Sequence, residues 1–286
     1  MSLKSLFSSK EELRKMLLRV HKDVLSCKAG SKFTKKIAQG NDFLGLREYM
    51  SGDDIRSIDW IVSAKLSKPY VKIFREEKEL NIIFVPLLSA SMNFGLQRVK
   101  QDCLSEICAY LSFVAVQQKS PFSSYIGSDR TFKAIGKSKK LEDVHVFVEK
   151  IASYDSFAKA VNYQDLSKQL YKQINQKSLI IILGDFFQAQ ELHLQVLANK
   201  HEIVCIVIRD RFEEKAIPLG LVNIIDPLTQ KMSKVNLDKK AVLKLTKKLE
   251  KEDELLFEKW KKLGVRFVKI YTDELALHKL MAFMSE

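Results

Sequence analysis

Two serine hydroxyls, Ser89 and Ser91, follow directly on the apolar run Asn81 to Leu88. Residues two apart on an extended segment project the same way, so this pair at the tip of a buried strand offers two adjacent oxygen donors. A hard cation such as Mg²⁺ is held by oxygens of this kind once a carboxylate joins them. Asp185, just beyond the apolar run Leu179 to Leu183, is the acid placed to do so. The competing expectation is that Ser89 and Ser91 cap a helix beginning near Gly95 and hold no ion.

A second set of chemistry-bearing residues fills the 21 positions from Gly40 to Trp60, namely Gly40-Asn41-Asp42-Phe43, Arg47-Glu48-Tyr49 and Gly52-Asp53-Asp54-Ile55-Arg56-Ser57-Ile58-Asp59-Trp60. Its acids resemble a nuclease or polymerase carboxylate cluster only loosely. Adjacent Asp53 and Asp54 point to opposite sides if extended, and Arg47 and Arg56 neutralise such acids by bidentate pairing. The expectation is a structural knot: Trp60 buried, with Asp54 or Asp59 paired to Arg47 or Arg56.

Other constellations fail to assemble. Thr131 to Ser138 nearly spells a phosphate-binding loop, but Thr131 stands where the first glycine belongs and strand-forming residues fill the cradle. The five histidines show no H-x-x-x-H spacing, and no Ser or Cys arrangement marks a triad. Among Cys27, Cys103, Cys108 and Cys205 there is no C-x-x-C pair, so neither zinc nor a disulfide is expected. No catalytic constellation emerges, and a non-enzyme is the expectation.

The elements that must position these residues alternate. Strand-like runs at Asn81 to Leu88, Ser178 to Leu183, Ile203 to Ile208 and Val265 to Ile270 are separated by helical periods at Leu96 to Val116, Leu166 to Ile174, Leu192 to Ala198 and Val242 to Leu263. Strands apolar on both faces, set between helices, imply an α/β domain with a doubly wound, mostly parallel sheet over residues 80–286. Phe122 to Ile126 and Arg130 to Ile135 read as a hairpin or an edge addition. Residues 1–79, with an amphipathic helix over 9–28 opened by Ser9 and an extended segment from Pro69 to Glu76, read as an appended amino-terminal lobe. Ligands of doubly wound sheets sit at the carboxyl ends of the strands. That nominates Ser89 to Gly95, Gly184 to Phe187 and Arg209 to Phe212, with Ser89, Ser91, Asn93, Asp185, Phe186 and Phe187 as a partner-binding rim.

Composition narrows the classes further. With 286 residues, 46% hydrophobic, and only 10 Gly and 5 Pro, the chain is globular and neither collagen-like nor a linker. No apolar run approaches the roughly 18 to 20 residues of a membrane-spanning helix, and the amino terminus lacks a secretory apolar core, so a cytoplasmic location is expected. A net charge of +13 points to nucleic acid, an anionic membrane surface or an acidic protein. Yet from Lys231 to Lys262 eleven Lys are interleaved with six acids on a helix whose apolar face carries Val242, Leu245, Leu249, Leu256, Trp260 and Leu263, the pattern of a solvated face.

The order G-x-[DE]-F-x-x-x-R-E-Y-x-x-G-D-D-x-R-x-I-D-W-x-x-x-A, followed by V-K-x-F-x-E-E and S-x-S-M-x-F-G, resembles the bacterial family called domain of unknown function 58. It runs from Gly40 and Asp42 through Arg47, Glu48, Tyr49, Gly52, Asp53, Asp54, Arg56, Asp59 and Trp60 to Glu76 and Glu77, and on through Ser89, Ser91 and Met92. The resemblance covers residues 20 to 285 and implies a von Willebrand factor A-like domain whose family site is a metal-ion-dependent adhesion site. That pattern reads D-x-S-x-S. Here Leu87 holds the aspartate's place, Asp185 matches the later aspartate, and the middle-loop threonine has no counterpart near Asn162 to Leu166. The resemblance therefore implies a degenerate site at Ser89, Ser91 and Asp185, with Mg²⁺ weak if bound at all and no other cofactor. It also implies a non-enzymatic scaffold, an accessory factor of a MoxR-type AAA+ ATPase that remodels or matures client proteins. The alternatives are a basic nucleic-acid-binding protein and, behind it, a metal-dependent hydrolase using Asp53, Asp54, Asp59 or Asp185.

Overall fold

The computed structural model describes residues 10–26, 43–74 and 80–285, which fall into two compact units. The chain opens with α1 (Lys10–Ser26), whose Leu13, Met16, Leu17, Val20 and Val24 form one buried stripe at helical spacing. Expected in the amino-terminal lobe, this helix belongs instead to the larger unit. His21 stacks on Phe113 at 5.0 Å, the Tyr110 hydroxyl donates to Asp23 at 2.9 Å, and Arg19 pairs with Glu106. An apolar stripe needs a covering partner, and two helices of the larger unit supply it. Ser9, the expected cap, lies outside the described residues.

The small unit contains β1 (Phe43–Glu48), α2 (Trp60–Leu66) and β2 (Tyr70–Phe74). β1 and β2 pair antiparallel with an irregularity between Phe43 and Gly45. Met50 to Asp53 closes a turn through Asp53 N–H to Met50 O at 3.1 Å, and Gly52 takes φ +110 there, a conformation that only glycine adopts without strain. Asp53 is the carboxylate that pairs with Arg47, through two bonds of 2.8 and 2.6 Å, and it also accepts Met50 N–H at 2.9 Å. Those bonds, the Arg47 one first, hold its carboxyl below the usual range. Asp59 caps α2 by accepting from Ile61 N and Val62 N at 3.1 and 3.2 Å.

Trp60 corrects the expectation of a tryptophan-centred knot. As the first residue of α2 it is 65% exposed. Arg47 does form an ion pair, but with Asp53 where Asp54 or Asp59 was expected, and that pair braces a turn and does not surround the indole. Glu48 pairs with Lys68 at 2.8 Å, and the Tyr49 amide donates to Pro69 O at 2.8 Å. Gly40, Asp42, Glu76 and Glu77, and the Arg56 side chain, lie outside the described residues.

The larger unit is built on a six-stranded sheet. In chain order its elements are β3 (Asn81–Pro86), α3 (Lys100–Gln117), β4 (Phe122–Gly127), β5 (Thr131–Ser138), α4 (Leu141–Ala152), α5 (Tyr163–Gln173), β6 (Ser178–Gly184), α6 (Gln195–Ala198) and β7 (Glu202–Arg209). Then follow α7 (Arg211–Glu214), a two-stranded hairpin of β8 (Gly220–Ile225) and β9 (Met232–Leu237), α8 (Lys239–Lys262), β10 (Arg266–Tyr271) and α9 (Ala276–Ser285). The spatial order is β10-β7-β6-β3-β4-β5, parallel throughout except for the antiparallel edge strand β5.

Alternation along β3 shows why both faces are apolar. Ile83, Val85 and Leu87 join Tyr163, Leu166 and Leu170 of α5 and Trp260 of α8 in one core. Phe84 stacks with Phe147 of α4 and meets Phe122 on the other side. As expected, β3, β6 and β7 are interior and parallel. The segment Phe122 to Ile126 is more than an edge hairpin, because β4 is interior and fully buried; its Ser123 and Ser124 disguise it as half-solvated.

Candidate functional site

The three loops nominated by the strand-end rule converge at the carboxyl edge of the sheet. Ser91 Oγ donates to Asp185 Oδ2 at 2.5 Å, Ser89 Oγ lies 2.8 Å from Ser91 Oγ, and the Leu96 amide donates to Asp210 Oδ2 at 3.0 Å. The serines do not cap a long helix: Ser89 precedes a short 3₁₀ turn, Ala90–Asn93, without a side-chain capping bond, and α3 begins at Lys100. Asn93 turns inward, its Nδ2 reaching Ser156 Oγ at 2.7 Å and Ala90 O at 3.3 Å, so it ties two loops together instead of standing on the rim.

Two cations complete the centre. Lys100, the first residue of α3, is 0% exposed, and its ammonium bonds Asp185 Oδ2 at 2.9 Å and Glu213 Oε1 at 2.7 Å. Glu213 is itself fixed by a capping box at α7, accepting Asp210 N–H at 3.0 Å. Arg209, at the end of β7 and buried, donates to the Asp185 carbonyl and to Asp253 Oδ1 of α8 at 2.6 Å. Beyond it, Lys269 joins Asp253 at 2.8 Å and Glu214 at 2.6 Å, and the Tyr271 hydroxyl donates to Glu214 at 2.6 Å. The Phe187 ring lies over both buried cations, 4.7 Å from Lys100 Nζ and 4.0 Å from Arg209 Cζ.

Burial opposes ionisation of Asp185, but Lys100, Arg209 and the Ser91 hydroxyl outweigh it and hold the carboxyl below its ordinary value. For Glu213 the balance reverses, and burial pushes its carboxyl up despite Lys100.

The rim residues divide. Phe186 is core, its ring edge-on to Trp260 at 4.9 Å, so it corrects the expectation of an exposed anchor. The apolar face of α8 that carries Trp260 needs a covering ring there. Phe187 is half-buried. Phe186 and Gln188 both take positive φ, +53 and +55, so the turn after Asp185 is held in a left-handed conformation uncommon for such residues. Beside it opens a cleft of about 740 Å³ bordered by Ser89, Ser91, Tyr163, Gln188, Gln190 and Leu228.

A divalent cation does not fit the residues present. Leu87 sits where a carboxylate would anchor it, wedged so closely between two glycines that a Cβ at Gly184 would lie 2.8 Å from the Leu87 Cβ and one at Gly127 2.9 Å from its Cδ2. The oxygen of Asp185 that takes Ser91 also takes the Lys100 ammonium. Among the described residues, no three His, Cys, Asp or Glu side chains converge as a metal-binding group.

Sequence reasoning reached Ser89, Ser91 and Asp185 and missed Lys100, Glu213, Asp253 and Lys269. Arg209 stood at the border of a nominated loop; the apolar run Ile203 to Ile208 was its signal.

The chain belongs to the family described as protein of unknown function DUF58, whose model matches residues 45–254. It is 24% identical over 186 residues to uncharacterized proteins of Mycobacterium bovis and Mycobacterium tuberculosis, a stretch that covers 63% of this chain. The chain thus spans only 58% of the length of those relatives. Among solved structures, it overlaps the conserved hypothetical protein BatB of Bacteroides thetaiotaomicron at 10% identity and a TM-score of 0.47, covering 72% of this chain and 97% of that one. An overlap with a von Willebrand factor type A protein of Catenulispora acidiphila has 13% identity and a TM-score of 0.34, over 62% of this chain and 43% of that one. The doubly wound architecture rests on the strand order itself. Among the described residues no helix is long and apolar enough to cross a membrane.

Proposed function

We infer that this protein is a non-enzymatic binding module, an accessory factor that engages a MoxR-type AAA+ ATPase and its client through the strand-end rim. One observation carries the non-enzymatic half. The ionisable groups at the carboxyl edge are spent on one another: Lys100 on Asp185 and Glu213, Arg209 on Asp253. None of these three pairings leaves a buried base or nucleophile facing the cleft. A rigid edge of satisfied charges beside an open cleft suits recognition of a protein surface. The ATPase half is supported by membership in the family and by the resemblance drawn from its motifs, an associational warrant.

The test is binding of the full chain to a MoxR-type ATPase of the same genome, measured by surface plasmon resonance. The variant pairs exposed Gln190→Arg with exposed Leu228→Asp at the cleft. A loss of about tenfold or more in affinity is expected. Equal affinity would move the interface away from the rim. Failure of Lys244→Glu plus Lys247→Glu to weaken DNA retention, where the wild type binds DNA at all, disposes of a specific role for the basic helix face.

A further inference from the structure

Neither the motifs nor the overall charge point to Lys100, yet its side chain is fully enclosed at the strand ends. A buried ammonium persists only when paired and hydrogen-bonded, and here two carboxylates meet it, from the loop after β6 and from α7. Its position at the amino terminus of α3 is where a helix favours anions over cations, so the carboxylates gain from the helix while the lysine must be held against it. The carboxylates bonded to it come from two elements, Asp185 after β6 and Glu213 on α7; Arg209 at the end of β7 bonds the Asp185 carbonyl and Asp253 of α8.

We propose that the Lys100 ammonium is the permanent, tethered cation of this site, standing where the serine–aspartate pattern anticipates a divalent ion. The charge balance supports the substitution. An aspartate exchanged for Leu87 removes one negative charge and a divalent ion exchanged for an ammonium removes one positive charge, while Glu213, the second carboxylate on the ammonium, has its carboxyl pushed up by burial toward the neutral form. The oxygens an ion would draw together are already joined: Ser89 to Ser91, Ser91 to Asp185, and Asp185 to Lys100. The rim is therefore set during folding, and neither divalent ions nor chelators alter it. This inference rests on the geometry and the serine–aspartate pattern, and it stands whether or not the rim binds an ATPase.

The experiment uses the full chain and Mn²⁺, followed by its paramagnetic resonance signal and by thermal unfolding. Wild type is expected to show no Mn²⁺ binding that Asp185→Asn abolishes, and the same unfolding temperature with Mn²⁺ or with EDTA. Lys100→Ala, which empties the ammonium's place between two carboxylates, is expected to gain a rise in unfolding temperature from Mn²⁺ and a smaller one from methylammonium. Lys100→Met fills the space without charge; its unfolding temperature should rise relative to wild type as the pH falls and the unpaired acids take up protons. If both single variants fail to fold, recovery of folding by Lys100→Met combined with Asp185→Asn supports the pairing. Micromolar Mn²⁺ binding by wild type that disappears in Asp185→Asn would overturn the proposal. So would a Lys100→Met protein as stable as wild type at every pH.

Discussion

Truncating Leu87 to alanine tests the idea that the leucine at the ion-anchoring position has become part of the core. The side chain is 1% exposed and lies in the cluster that contains Leu166, Ile182 and Tyr163. Three carbons are removed, worth about 2 to 2.5 kcal/mol in transfer free energy at ~0.8 kcal/mol for each buried CH₂. A cavity term adds to this, and its size depends on whether the walls can move in. Two of those walls are backbone, at Gly127 and Gly184, with no side chain to swing into the gap. The total should therefore fall in the upper part of the Leu→Ala range, about 3 to 5 kcal/mol. Urea unfolding followed by far-ultraviolet circular dichroism reads it as a lowered midpoint with unchanged slope. At roughly 2 to 4 °C per kcal/mol for a unit of this size, the melting temperature should drop by about 10 °C. A loss below about 1.5 kcal/mol would mean that the pocket collapses freely and that Leu87 is not wedged.

Leu87→Asp should cost more than Leu87→Ala, since it adds an unpaired buried carboxylate to the same lost packing; equal losses in the urea experiment would contradict this. Trp60→Ala should leave stability within about 0.5 kcal/mol of wild type, whereas Trp260→Ala, truncating a side chain only 1% exposed, should cost about 3 to 5 kcal/mol; comparable melting shifts would refute the contrast. Asp185 has a folded-state pKa below its ordinary 3.8, so its contribution is present above that value and lost as pH falls through the lower one. Acid titration below about pH 4 should therefore destabilise wild type more steeply than Asp185→Asn, and parallel curves would show that the carboxylate is not held by Lys100 and Arg209. Burial pushes the Cys103 thiol up to about 12 and the Cys108 and Cys205 thiols up as well, so all three should resist a thiol reagent until the protein unfolds; labelling of native Cys205 would disprove its enclosure.

The sheet was legible because a parallel strand covered on both sides needs an uninterrupted apolar run, and Asn81 to Leu88, Ser178 to Leu183 and Ile203 to Ile208 are such runs. Strand ends then placed Ser91, Asp185 and Asp210 at one edge, where the bonds to Ser91 and Leu96 confirm them. β4 was harder, since Ser123 and Ser124 carry no apolar signal and are buried only through the strands on either side. The β8–β9 hairpin went unread because its side chains are mostly solvent-facing, without the alternation that marks a half-buried strand. Lys100 was illegible for a different reason. A lysine opening a helix looks solvated, and only the return of the chain at 185 and 213 shows two acids waiting for it. Trp60 and Trp260 reverse the same lesson: the one in a dense motif is exposed, and the one on a lysine-rich helix is core, because helical periodicity placed it on the apolar face.

The strand order carries a consequence for how the chain is made. Starting from β3, synthesis lays β4 and then β5 on one flank, after which β6, β7 and β10 are added in turn on the other. Every new strand of the sheet meets an existing border, and none must be inserted between two already paired. A ribosome delivering the chain from its amino end thus supplies the pieces in the order in which they can be annealed. The flank of β3 that awaits β6 stays open until Ser178 has emerged. That border, apolar and hydrogen-bond-hungry, is where a nascent chain would first need a chaperone's shelter.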